Sequence, residues 1–178
     1  MRGPLVPPTI LTPWAVEAIG LQLDVLSADS LWGTASAVYP SANLAIYIPF
    51  SVSTPITVVK LFSVNGATVS GNIDVGIYDP TGVRIISSGS TLQSGTNAVQ
   101  EFDIADTLIG PGEFFLAVAM NNVTGTLFRG TVSATTVIGA STGMYQQATA
   151  FALPATATFA RYAQNYIPVI GLSQSTVI

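Results

Sequence analysis

The stretch from Asn72 to Met120 constrains the fold more than any other part of the chain, because it changes direction repeatedly without losing a two-residue period. Ile73, Val75 and Ile77 alternate with Asp74, Gly76 and Tyr78, the pattern of a half-buried strand. Asp79-Pro80-Thr81-Gly82 then supplies a turn, since Pro presets φ at the second position and Gly is permissive at the last. Val83 to Ser87 returns as the second arm of a hairpin. Ala98 to Ile104 alternates again, with Phe102 and Ile104 on one face and Val99, Glu101 and Asp103 on the other. After a turn at Pro111-Gly112, Phe114, Leu116, Val118 and Met120 form an inward stripe. The intervening Phe115, Ala117 and Ala119 are apolar as well, so this strand is expected to be central and covered on both sides.

The flanking sequence extends the same grammar. Leu44, Ile46, Ile48 and Phe50 line a first strand that starts near Asn43, and Ile56 to Val64 makes a second. Asn65-Gly66 reads as a two-residue hairpin, because both residue types accept positive φ. Asn121-Asn122 turns the chain into a strand over Thr126 to Val132. Ser133 to Ala155, rich in Ala, Thr, Ser and Gly, reads as a long surface excursion, and Thr156 to Tyr162 and Tyr166 to Leu172 are the last strands. About eight to ten strands at this spacing predict an all-β fold, an antiparallel β-sandwich of jelly-roll-like type, over residues 41–172. Residues 173–178 form a C-terminal tail. Residues 1–40 form an extended, Pro-rich N-terminal arm, with Pro4, Pro7, Pro8 and Pro13 favouring open backbone. Within it, Ile19, Leu21, Leu23 and Val25 alternate as a strand, although Thr12-Pro13 also suits a short helix ending near Gly20. Leu5, Ile10, Leu11, Trp14 and Trp32 are too apolar for a solvated linker. They are the expected partner-binding residues of the arm.

Composition narrows the function. Only 8% of the 178 residues are charged, against about 25% in typical soluble domains. A free domain keeps more surface charge than this, so the chain is expected to spend its life packed against other subunits, further copies of itself included. The five basic residues, Arg2, Lys60, Arg84, Arg129 and Arg161, are scattered. No basic cluster neutralises phosphates or an anionic bilayer, and no apolar run reaches the 20 or so residues of a spanning helix, so neither nucleic acid nor membrane is an expected partner. With no His and no Cys, the usual nucleophilic triads and zinc sites are out of reach. No catalytic, cofactor or metal residue is therefore expected. Glu101 and Asp103 share a strand face at roughly the spacing of a glycosidase pair, but a solvated stripe opposite Phe102 and Ile104 explains them more simply. Asp74 and Asp79 flank a turn, where calcium ligation competes with plain turn stabilisation. Asn122-Val123-Thr124 matches a glycosylation sequon. The six tyrosines and two tryptophans suit either subunit interfaces or sugar stacking.

The combination of IYDPTG, a Ser/Gly-rich loop, LIGPGEFFLAVAM and the closing YIPVIGL resembles β-sandwich structural proteins of tailed-bacteriophage virions, over about Asn43 to Leu172. The resemblance implies a non-enzymatic virion protein whose partners are other virion proteins, the major capsid protein or tail proteins. A capsid decoration (cement) subunit fits the low charge and apolar arm best. The alternatives are a tail or fibre component, or a carbohydrate-binding module that recognises host surface glycans. A hydrolase built on Glu101 is the remaining possibility from another class.

Overall fold

The computed structural model describes residues 35–130 and 143–174. The arm residues Leu5, Ile10, Leu11, Trp14 and Trp32, and the alternating run Ile19 to Val25, lie outside them. Among the described residues every regular element is a strand: β1 (Ala35–Val38), β2 (Ala45–Val52), β3 (Ile56–Val64), β4 (Asn72–Tyr78), β5 (Arg84–Ser87), β6 (Thr91–Leu92), β7 (Val99–Ile109), β8 (Gly112–Met120), β9 (Thr126–Gly130), β10 (Tyr145–Gln147), β11 (Ala160–Arg161), β12 (Ile167–Pro168) and β13 (Ile170–Ser173).

Two antiparallel layers result. The larger runs β11-β10-β2-β8-β4-β5, with β6 also on β4. The other consists of β1-β9-β12 and β13-β3-β7, joined through Val169, whose N–H donates to Phe128 and whose carbonyl accepts from Val64. The stripes read from the sequence meet between the layers. Leu44, Ile46, Ile48 and Phe50 of the β2 strand and its lead-in, Ile73, Val75 and Ile77 of β4, and Leu116, Val118 and Met120 of β8 pack against Val58, Leu61, Phe102, Leu127, Ile170 and Leu172. The hairpin at Asp79 forms as expected: the Gly82 N–H donates to the Asp79 carbonyl, and β4 pairs with β5.

β8 sits between β2 and β4 with Ala117 and Ala119 fully buried. Its second face is covered by residues 148–159, where Ala150, Leu153, Phe151, Ala157 and Phe159 lie on Ala45, Tyr47, Tyr78, Ala117 and Ala119. This corrects two expectations. The Ala/Thr-rich segment is not a surface excursion, at least from residue 143 onward, because it supplies β10 and then a strap over the sheet. β4 is not half-buried either, since Asp74, Gly76 and Tyr78 are all sealed beneath that strap. A Cβ on Gly76 would lie 3.0 Å from Leu153 Cδ1 and 2.9 Å from the Ile86 carbonyl, so only glycine lets the strap settle this closely.

Three boundaries also differ. Asn65-Gly66 makes no hairpin, and neither residue has positive φ. Asn65 instead bridges to Leu127, and Gly66 passes so near β1 that a Cβ would meet Ser36 Oγ at 2.1 Å. The pair carries the chain from one layer to the other. The strand foreseen over Thr156 to Tyr162 shrinks to Ala160–Arg161, because the residues before it serve the strap. The residues assigned to the end of the arm include β1, which pairs with β9, and Tyr39, whose hydroxyl donates to the carbonyls of Leu44 and Val118 at 2.9 Å each.

Among the described residues β7 pairs on one side only, with β3. Between the pairs Lys60–Asp103 and Val58–Thr107, three residues of β7 face one of β3, a bulge that bends the edge away from further pairing.

Leu116→Ala should destabilise the protein by about 2–5 kcal/mol, since it removes volume from a close-packed core. Glu113→Ala, exposed at the start of the same strand, should cost less than about 0.5 kcal/mol. Urea midpoints of the two variants check the assignment, and equal midpoints would contradict it.

Candidate functional site

The acidic residues were the first candidates for chemistry, and the structure commits most of them to holding the chain together. Glu101 and Asp103 lie side by side on the outer face of β7, as the alternation predicts. Both reach Lys60 of β3: the Nζ bonds Glu101 Oε2 directly and stands 3.8 Å from Asp103 Oδ1. Asp103 is 89% exposed, so the pair shares a cation on an open sheet face and not a sugar cleft. The bond to Glu101 also holds the Lys60 pKa above its ordinary value. Asp79 stabilises its turn. Its Oδ1 accepts from the Thr81 N–H at 2.9 Å, the Thr81 hydroxyl at 2.7 Å and the Val83 N–H at 2.9 Å, and these bonds lower its pKa. The sequon amide is likewise engaged: Asn122 Nδ2 donates to the Ser70 carbonyl and Asn121 Oδ1, while Asn122 Oδ1 accepts from Thr124 and Gly125.

Asp74, which the sequence offered as a turn or calcium residue, is instead the one fully buried carboxylate among the described residues. Its Oδ2 accepts from the Leu153 N–H at 3.0 Å, and its Oδ1 accepts from the Ser88 hydroxyl at 3.3 Å. Arg84, from β5, binds the Leu153 carbonyl through Nη1 and the Ala155 carbonyl through its own N–H. The Tyr78 hydroxyl donates to the Pro154 carbonyl at 2.6 Å. Asp74, Tyr78 and Arg84 of the β4–β5 hairpin thus clasp Leu153 to Ala155. Burial raises the Asp74 pKa, opposed by the bonds from Leu153 and Ser88 and by the charge of Arg84.

At the other end of the strap the same face becomes aromatic. Phe159 packs on Phe115 and Tyr145 with ring centroids 4.8 and 5.1 Å away, and Phe115 and Tyr145 stand 5.6 Å apart. Tyr47 supports them from below, edge-on to Phe159 at 5.1 Å and to Tyr78 at 5.2 Å. Its burial pushes its pKa up to about 12. Phe115 and Phe159 are half-buried, whereas Tyr145 is exposed. Sequence reasoning missed this cluster because its members come from three distant segments and only Phe115 lay in a strand read correctly.

Among the described residues no group of three or more acidic side chains is placed to hold a metal ion, and no helix is long and apolar enough to cross a membrane. No protein-family model, curated protein sequence or solved structure matches the chain.

The two shifted aspartates make opposite contributions to pH dependence. Asp74 keeps its proton in the folded state at pH values where the unfolded chain has lost it, so its contribution to stability grows as pH falls through the folded pKa toward the ordinary carboxylate range. Asp79, held low, contributes stability above that range and loses it as pH falls further. Asp74→Asn should keep an acceptor for the Leu153 N–H and remove the first effect. The variant should be at least as stable as wild type at about pH 7 and gain less on acidification to about pH 5. Urea unfolding at the two pH values measures this, and parallel behaviour of the two proteins would contradict it.

Proposed function

We propose that the chain is a non-enzymatic structural protein of a tailed-bacteriophage virion, a capsid decoration subunit bound to the shell through its apolar arm and its sandwich faces. The observation that carries the reading is the use made of the carboxylates. Of six in the described residues, four are tied into structural bonds, and none of these faces another acid across a cleft. A scaffold whose acids hold turns and a strap is suited to bearing load. The low charge supports the same reading, since a surface poor in Lys and Glu is suited to permanent contact with neighbours. So does the resemblance of the IYDPTG and LIGPGEFFLAVAM segments to virion sandwiches. The jelly-roll assignment belongs with this proposal, and it is supported by the return of β13 to the early strand β3. On this reading the partners are the major capsid protein, or tail proteins if the subunit sits there, together with further copies of the chain.

Mass spectrometry of density-gradient-purified particles should find the protein in stoichiometric amount; its absence from particles would overturn the proposal. The arm can be tested separately. A chain beginning at Ala35 keeps β1 and Tyr39 and should remain folded by circular dichroism while losing most of its particle binding. A chain beginning at Ser41 lacks both and should be markedly less stable. Unchanged particle binding by the chain beginning at Ala35 would show that the sandwich alone makes the attachment.

A further inference from the structure

We infer that the aromatic ledge of Phe115, Tyr145 and Phe159 is a carbohydrate-binding site, and that it takes a neutral pyranose oligosaccharide. This goes beyond the structural role proposed above and does not depend on it. The first observation is a difference among the tyrosines. The hydroxyls of Tyr39, Tyr47, Tyr78, Tyr162 and Tyr166 each bond within the fold. Tyr145, which is 37% exposed, makes no such bond among the described residues. Its ring packs against Phe115 and Phe159.

The second observation is the surround. In the antiparallel pairing of β10 and β11, Arg161 stands directly opposite Tyr145 and therefore on the same face. Gln147 is two residues along β10, hence on that face too. Its Oε1 is held by the Tyr47 hydroxyl at 3.0 Å and the Thr158 N–H at 2.7 Å, which fixes the amide. Glu113 lies two residues before Phe115 on β8. Arg161 and Glu113 are exposed and form no ion pair among the described residues.

A rigid apolar shelf flanked by one cation, one anion, an amide and a phenol matches a ligand with a flat C–H face and a rim of hydroxyls, which donate and accept alike. A nucleic acid or an acidic glycan would need several positive charges here, and Arg161 is one, with Glu113 on the same sheet face. The rings are already packed on one another, so little side-chain freedom is lost on binding.

The test is a glycan array of linear hexose and N-acetylhexosamine oligomers probed with the full chain, followed by titration of a captured oligosaccharide monitored by NMR. Binding should perturb the Tyr145 ring signals. Tyr145→Ala should weaken it by about tenfold or more, and Tyr145→Phe, which keeps the ring and loses the hydroxyl, should weaken it less. Both variants should unfold at nearly the wild-type urea midpoint, because Tyr145 is exposed and lies outside the close-packed core between the layers. Capture of no glycan, or titration curves unchanged by Tyr145→Ala, would overturn the inference. Loss of binding accompanied by unfolding would be resolved by Arg161→Gln, which leaves the rings in place and should also weaken binding; unchanged affinity in that variant would overturn the role given to the polar rim.

Discussion

The architecture depends on the burial of β8 from both sides. A strand reading Phe-Phe-Leu-Ala-Val-Ala-Met has no polar face to give to water, so a two-layer sandwich leaves half of it unprotected. The opposing sheet covers Leu116, Val118 and Met120. The strap of residues 148–159 covers Ala117 and Ala119, and the small side chains there let it approach. A strap has polar main-chain groups of its own, and a buried one must satisfy them. That requirement accounts for the polar residues placed where β4 should have been plainly apolar or plainly solvated. Asp74, Arg84 and the Tyr78 hydroxyl each meet an N–H or carbonyl that the strap brings down with it.

The same logic of neutral, local bonding explains how so few charges suffice. At the end of the sandwich where Asn65-Gly66 crosses between layers, buried Asn65 and Gln93 tie the loops together. Asn65 Nδ2 donates to the Ser94 carbonyl and to Gln100 Oε1. Gln93 Nε2 donates to Asn65 Oδ1 and to the Thr126 carbonyl, while Gln93 Oε1 accepts from the Ser70 N–H. An amide both donates and accepts, so it closes such a network without the desolvation cost of an ion. The outer surface is then free to be poor in charge.

The sequence made the strands of the core legible because β2, β4 and β8 keep their period and lie where alternation puts them; β3 also lies where it was read, although an irregularity after Val58 makes Leu61 its next inward residue. What alternation does not reveal is which outward face stays outward. Asp74, Gly76 and Tyr78 look like a solvated face, and the cover that buries them arrives from a segment more than seventy residues later with no period of its own. Asn65-Gly66 misleads for a related reason, since its local preference for a tight turn is overridden by pairing with Leu127 and Ala98. The carboxylates show the same division. Glu101, Asp103 and Asp79 behave as their neighbours in sequence indicate, whereas Asp74 and the Tyr145 cluster are defined by residues far away in the chain.

The strap as a permanent part of the core, and not a loop resting on it, is the claim on which the rest turns. Native-state hydrogen exchange of the Leu153 amide, which donates to buried Asp74, tests it most directly. If the strap is integral, this amide should exchange only through opening events about as costly as global unfolding, together with the core amides of β8. Exchange of Leu153 at the rate of an exposed loop, while the β8 amides stay protected, would contradict the account.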